Sequence, residues 1–155
     1  MKMKTTVFQG QAKVTYKEKR NPVRIQIRAS RDVHKLLKDH LKGANLFERE
    51  IFIAVYMSTA NEVLWIETVG IGTTNSCTPD ASAITRRALT GTSTAVIVAH
   101  NHPSGRTHPS ENDRRFTKNL KQKLKLFDIS LLDHLILGKG DDFYSMSDNG
   151  EKALY

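Results

Sequence analysis

The chain has 155 residues, 39% of them apolar and 26% charged, with a net charge of +8 and one cysteine. These proportions fit one globular domain large enough to bury its own core. They exclude a membrane-spanning helical protein, which needs runs of about 18 or more apolar residues, and an intrachain disulfide framework, which a single cysteine cannot build.

The lone cysteine, Cys77, together with a basic N-terminus followed by no apolar stretch, predicts a cytoplasmic chain without a signal peptide. The charge is unevenly placed. Residues 1–42 hold 12 Lys and Arg against three acids, a balance of +9, whereas the other 113 residues balance at −1. A basic excess of this kind suits a polyanionic partner such as nucleic acid, or simply a solvated face.

In chain order, residues 1–10 lack periodicity and read as a loosely held terminus. Alternating runs over residues 12–17 and 23–28 predict short strands around the turn-like Asn21-Pro22. Ser30 then precedes Val33, Leu36, Leu37 and Leu41, an apolar helical stripe that closes on Gly43. The run from Ile51 to Met57 predicts a strand buried on both faces, and Val63 to Val69 a hairpin partner. Pro79 and Ser82 introduce a helix that ends near Gly91, and residues 95–99 predict a second buried strand. Asn101, Pro103, Gly105 and Pro109 force a loop, after which Ser110 opens a helix over 110–127 with Phe116, Leu120, Leu124 and Phe127 as its buried stripe. Residues 130–137 and 143–146 complete the set as strands. Strands alternating with helices predict an α/β domain, a mixed central sheet flanked by helices.

The chemistry concentrates where the 95–99 strand meets its loop, at Ala99-His100-Asn101-His102-Pro103-Ser104-Gly105. Residues two apart on a strand share a face, so His100 and His102 lie about 6–7 Å apart at Cβ. Two imidazoles at that spacing can converge on one ion at about 2 Å. Asp113 enters the same space from the first turn of the next helix, where it can supply a third ligand. Two His and one Asp leave a fourth tetrahedral position open, the catalytic form of a zinc site. Ser110 with Asp113 also reads as a capping box, and one hydroxyl can both cap the helix and face the site. His108 reads as an exposed loop histidine.

The pattern His-x-His, then seven residues from Pro103 to Pro109, Ser110, two more and Asp113, resembles the JAMM/MPN metallopeptidase signature. His-Asn-His-Pro-Ser-Gly and the later Leu132-Asp133-His134-Leu135-Ile136 resemble its bacterial RadC branch, over about residues 29–150. The resemblance implies a JAB/MPN fold, cytidine-deaminase-like in class, with residues 1–28 as a basic segment of short strands ahead of a metallohydrolase domain over 29–155. It implies one zinc ion on His100, His102 and Asp113, with Ser110 stabilising the oxyanion. It also implies an upstream glutamate as general base and acid, matched here by Glu50, with Glu48 as the competing position. A metal ion lowers the pKa of its water from 15.7 toward about 7, and a nearby carboxylate can take the proton during attack.

Long RadC members carry a helix-hairpin-helix region, and nothing here resembles it, so the chain reads as a short form. Asp133 and His134 fit the family pattern and read as structural or as partners that orient a ligand histidine. Cys77 reads as incidental. Two functions follow from different classes. One is a zinc metallopeptidase acting on the amide or isopeptide bonds of a protein or peptide. The other is a DNA-associated accessory protein that uses residues 1–42 and the basic flank of helix 110–127: Arg114, Arg115, Lys118, Lys121, Lys123 and Lys125.

Overall fold

A computed structural model describes residues 25–43, 46, 48–72 and 79–155. The expected strand at 12–17, most of the basic N-terminal segment and the loop carrying Cys77 lie outside the described residues. Helix α1 (Ser30–His40) is followed by strands β1 (Ile51–Met57) and β2 (Val63–Ile71), helix α2 (Ala81–Thr90) and strand β3 (Ala95–Asn101). Helix α3 (Glu111–Lys125), strands β4 (Ser130–Leu137) and β5 (Phe143–Ser145) and a 3₁₀ turn (Lys152–Leu154) complete the order.

The five strands form one mixed sheet in the order β2-β1-β3-β4-β5. β1 and β3, the two nearly unbroken apolar runs, lie inside it, as a strand buried on both faces must. Neighbouring pairs are antiparallel except β3 and β4, which are parallel and need the crossover that α3 provides. On one face, Val33 and Leu37 of α1 cover Ile53, Val55, Ile97 and Leu135. On the other, Ala81, Ile84 and Ala88 of α2 and Leu120 and Leu124 of α3 cover Phe52, Ala54, Val96, Val98 and Ile136. Among the described residues no helix is long and apolar enough to cross a membrane.

Several local expectations shift for identifiable reasons. The N-cap of α1 is Ala29 rather than Ser30. The carboxylate of Asp32 reaches back to the amides of Arg28 (2.8 Å) and Ala29 (3.1 Å) and does the work of a capping side chain. The helix also stops at His40, three residues before Gly43, whose φ of +90° belongs to the turn that follows. At the end of α3, Phe127 leaves the stripe and is 51% exposed. There the helix has already ended, Asp128 takes a φ of 56°, and Ile129 folds in to take the buried place, its N–H on the carbonyl of Leu124. Residues 25–27 pair with the β1–β2 turn region, through Ile27 N–H to Asn61 O and Val63 N–H to Ile25 O, and bury Ile27.

In β4 the pairing partner of Val96 is Leu131 but that of Ile97 is Asp133, so Leu132 is an extra residue, a β-bulge. A one-residue slip moves every later side chain to the opposite face. It places His134 opposite Val98, on the face covered by α2 and α3, and turns Asp133 to the face of α1. There Asp133 accepts from Ser145 Oγ (2.6 Å), the Ser147 amide (2.9 Å) and the His134 amide (2.7 Å). Burial still pushes its carboxyl above the usual range, against those three hydrogen bonds.

One close approach yields a stability prediction. Gly91 caps α2 beneath Trp65, whose ring stacks on Tyr56 at 4.4 Å. A Cβ on Gly91 would lie 1.7 Å from Trp65 Cη2, and Tyr56 is fully buried behind that ring. Gly91→Ala is therefore expected to destabilise the domain by about 2–3 kcal/mol, read as a lower urea midpoint at unchanged slope. An unchanged midpoint would mean that Trp65 has room to move.

Candidate metal centre

The C-terminal end of β3, the loop after it and the first turn of α3 meet on the α2/α3 face. There His100, His102 and Asp113 come together, one ligand atom from each lying within 4.8 Å of the others. His100 Nε2 is 3.0 Å from His102 Nε2 and 3.3 Å from Asp113 Oδ1, and His102 Nε2 is 3.4 Å from Asp113 Oδ2. A tetrahedral zinc with bonds of about 2.0–2.1 Å needs donors separated by about 3.3–3.4 Å. The three separations are close to the edges of such a face.

Each donor is aimed by a partner behind it. His102 Nδ1 lies 2.8 Å from the carbonyl of Arg106. A carbonyl can only accept, so Nδ1 carries the proton and Nε2 keeps its lone pair. The loop makes this return because Gly105, with a φ of +75°, closes a turn onto the carbonyl of His102. His100 is fully buried, stacks on Phe52 at 5.5 Å, and places Nδ1 2.8 Å from Nε2 of His134. Asp113 sits in the expected capping box: its Oδ2 accepts from the Ser110 amide (2.7 Å) and hydroxyl (2.6 Å), and Ser110 Oγ accepts from the Asp113 amide (3.2 Å). Arg114 holds the same turn, bonding the Pro109 carbonyl (3.0 Å) and both oxygens of Glu151 (3.0 Å each).

The electrostatics match a site built for a cation. Burial pushes the Asp113 carboxyl up, but hydrogen bonds with His100, His102 and Ser110 outweigh it and hold the group well below the usual carboxylate range. The hydrogen bond with Asp113 raises His102 above its ordinary value; burial opposes this, and the Arg106 carbonyl and the charges of Asp113 and Glu50 add to it. His134 is held well below its ordinary value by burial and by the neighbouring His100. A metal binding here competes with the proton that Asp113 favours on His102.

Glu50 precedes β1. The antiparallel pairing of β1 with β3 ends with Phe52 opposite His100, two residues after Glu50 and two before His102. Glu50 is half-buried, and its charge reaches His102. Glu48 is exposed, in the turn before the strand. Asn101, which sequence reasoning passed over, fixes this arrangement: Oδ1 accepts the Ile51 amide (2.8 Å) and Nδ2 donates to the carbonyls of Leu46 (2.6 Å) and Arg49 (2.9 Å). Its signal was an amide side chain at the end of an otherwise apolar strand, between two ligand candidates. Thr117 was also missed; its position four residues after Asp113 on one helix face was the available clue. His108 is exposed, edge-on to Tyr144. On the basic flank of α3, Arg114 is committed to Glu151, and Lys121 to the carbonyls of Leu154 and Tyr155.

A mixed sheet whose inner strand ends in His-x-His, answered by an aspartate from the crossover helix, defines a JAB-type α/β domain with a candidate metal site. The chain belongs to the RadC-like JAB domain family, whose model matches residues 27–151. It is 37% identical over 131 residues to a UPF0758 protein of Rubrobacter xylanophilus, covering 84% of this chain and 56% of that protein. It is 43% identical over 110 residues to the UPF0758 protein YfjY of Escherichia coli, covering 71% of this chain and 68% of that protein. A UPF0758 protein of Burkholderia cenocepacia is 44% identical over 94 residues, covering 61% of this chain and 37% of that protein. The chain thus spans about half or less of the length of the first and third of these relatives.

Proposed function

We propose that the chain is a zinc-dependent hydrolase that cleaves an amide or isopeptide bond in a protein or peptide. The observation that carries this reading is the convergence of two imidazole Nε2 atoms and one carboxylate at 3.0–3.4 Å, with the charge of Glu50, just ahead of β1, reaching His102. The donor set is nitrogen and oxygen only and offers three ligands, which suits zinc with one position left for reactants. When bound, such an ion lowers the pKa of water toward about 7 and polarises a carbonyl.

The residues then divide the work. His100, His102 and Asp113 hold the ion, with Arg106 and His134 aiming the two rings. The Glu50 carboxylate accepts a proton from the attacking water and returns it to the departing amine, which must be protonated to leave. The exposed Ser110 hydroxyl can turn to the oxyanion that forms as the carbonyl is attacked, while its amide keeps its bond to Asp113 Oδ2.

Chelation tests this reading. Hydrolysis of a panel of peptide and isopeptide substrates should fall by at least about 10²-fold when the metal is removed, and return on adding zinc. Turnover that survives complete chelation would contradict it.

A further inference from the structure

Behind His100 runs a line of polar side chains through the otherwise apolar core: His100, His134 and Thr117 are each fully buried. His100 Nδ1 is 2.8 Å from His134 Nε2, His134 Nδ1 is 2.6 Å from Thr117 Oγ1, and Thr117 Oγ1 is 2.6 Å from the backbone carbonyl of Asp113. Each contact holds one proton, and the last has only one solution. The Asp113 carbonyl can only accept and lies 2.6 Å away, against 3.6 Å for the weak acceptor Met146 Sδ, so the single hydroxyl proton of Thr117 goes to the carbonyl. The lone pairs of Thr117 Oγ1 then face His134, whose Nδ1 must carry a proton and donate it. With that proton on Nδ1 and the ring fully buried in the apolar core, where a second proton would place an uncompensated charge, His134 presents a bare Nε2, which accepts from His100 Nδ1–H. His100 in turn keeps the lone pair on Nε2, the atom that faces His102 and Asp113.

We propose that Thr117 and His134 are positioning residues that fix the tautomer of His100, so that its Nε2 is held free of a proton and aimed at the metal position. Asp113 then contributes twice, with its carboxylate as a ligand and with its backbone carbonyl as the end of the relay. The β-bulge at Leu132 is part of the device, because without the extra residue Asp133 would pair with Val98 and His134 would face α1. The matching element for His102 is the Arg106 carbonyl, one backbone acceptor in place of two side chains.

This assignment rests on the metal-site reading, and the test separates the two. In the metal-free full chain with ¹⁵N-labelled histidine, at about pH 8, long-range ¹H–¹⁵N spectra should show His100 with its proton on Nδ1. A proton on Nε2 overturns the relay without any variant. Zinc affinity, read by competition with a chromophoric chelator, should fall about 10–100-fold in Thr117→Val, which keeps shape but accepts nothing from His134. Thr117→Ser should restore most of that loss and the wild-type His100 tautomer, which packing alone would not do. Unchanged zinc affinity and tautomer in a folded Thr117→Val overturn the relay and leave the metal site standing. Failure of the wild type to bind zinc overturns the metal site, while the His100 tautomer still decides the relay.

Discussion

Replacing His100 and His102 together by alanine should abolish zinc binding under conditions where the wild type takes up close to one ion per chain. The variant keeps Asp113 alone, and a single carboxylate does not assemble a zinc site, which needs three or four protein ligands. The loss should exceed the roughly 10–100-fold that follows removal of an outer partner. The two rings differ in what else they do. His100 is fully buried, stacks on Phe52 and satisfies His134, so its removal also leaves a cavity and a stranded imidazole, at a cost to folding of about 2–4 kcal/mol. The His102 side chain is 20% exposed and bonds only a loop carbonyl behind the site. His102→Ala by itself should therefore fold like the wild type and still lose the metal, which separates a ligand defect from unfolding. One equivalent of zinc in the folded double variant would rule out this site.

Glu50→Gln should leave zinc bound and reduce hydrolysis about 10²–10⁴-fold, the usual contribution of a general acid–base group. Glutamine keeps the size of the side chain and its place ahead of β1 but can neither accept the proton of water nor deliver one to the leaving amine. The effect should appear at every pH at which the wild type is active. Glu48→Gln, in the exposed turn two residues earlier, should change little. Full activity in Glu50→Gln with loss in Glu48→Gln would move the proton carrier to the turn.

The inner strands were legible because β1 and β3 are nearly uninterrupted apolar runs, and the His-x-His pair was legible because alternation along a strand puts i and i+2 on one face. Asp113 could be read from its place in the first turn after a forced loop. What sets the donors' orientation was much harder to see. The Arg106 carbonyl belongs to the backbone and leaves no mark in the side-chain sequence. His134 reaches His100 only through the parallel pairing of β3 and β4 plus one bulge, and no local pattern announces which residue will be extra. Phe127 and Ser30 show the same limit at helix ends, where the choice between neighbours depends on a turn at Asp128 and on the reach of Asp32. Of the 12 basic residues in 1–42, seven lie in residues 1–24, outside the described residues, and among the other five Lys38 pairs with Asp141.

The most direct measurement is anomalous diffraction at the zinc absorption edge from crystals of the zinc-loaded protein. The account predicts one peak per chain, bounded by His100 Nε2, His102 Nε2 and an Asp113 carboxylate oxygen, with an open side toward Glu50. No peak from a protein shown to be saturated with zinc, or a peak held by any other set of residues, would contradict it.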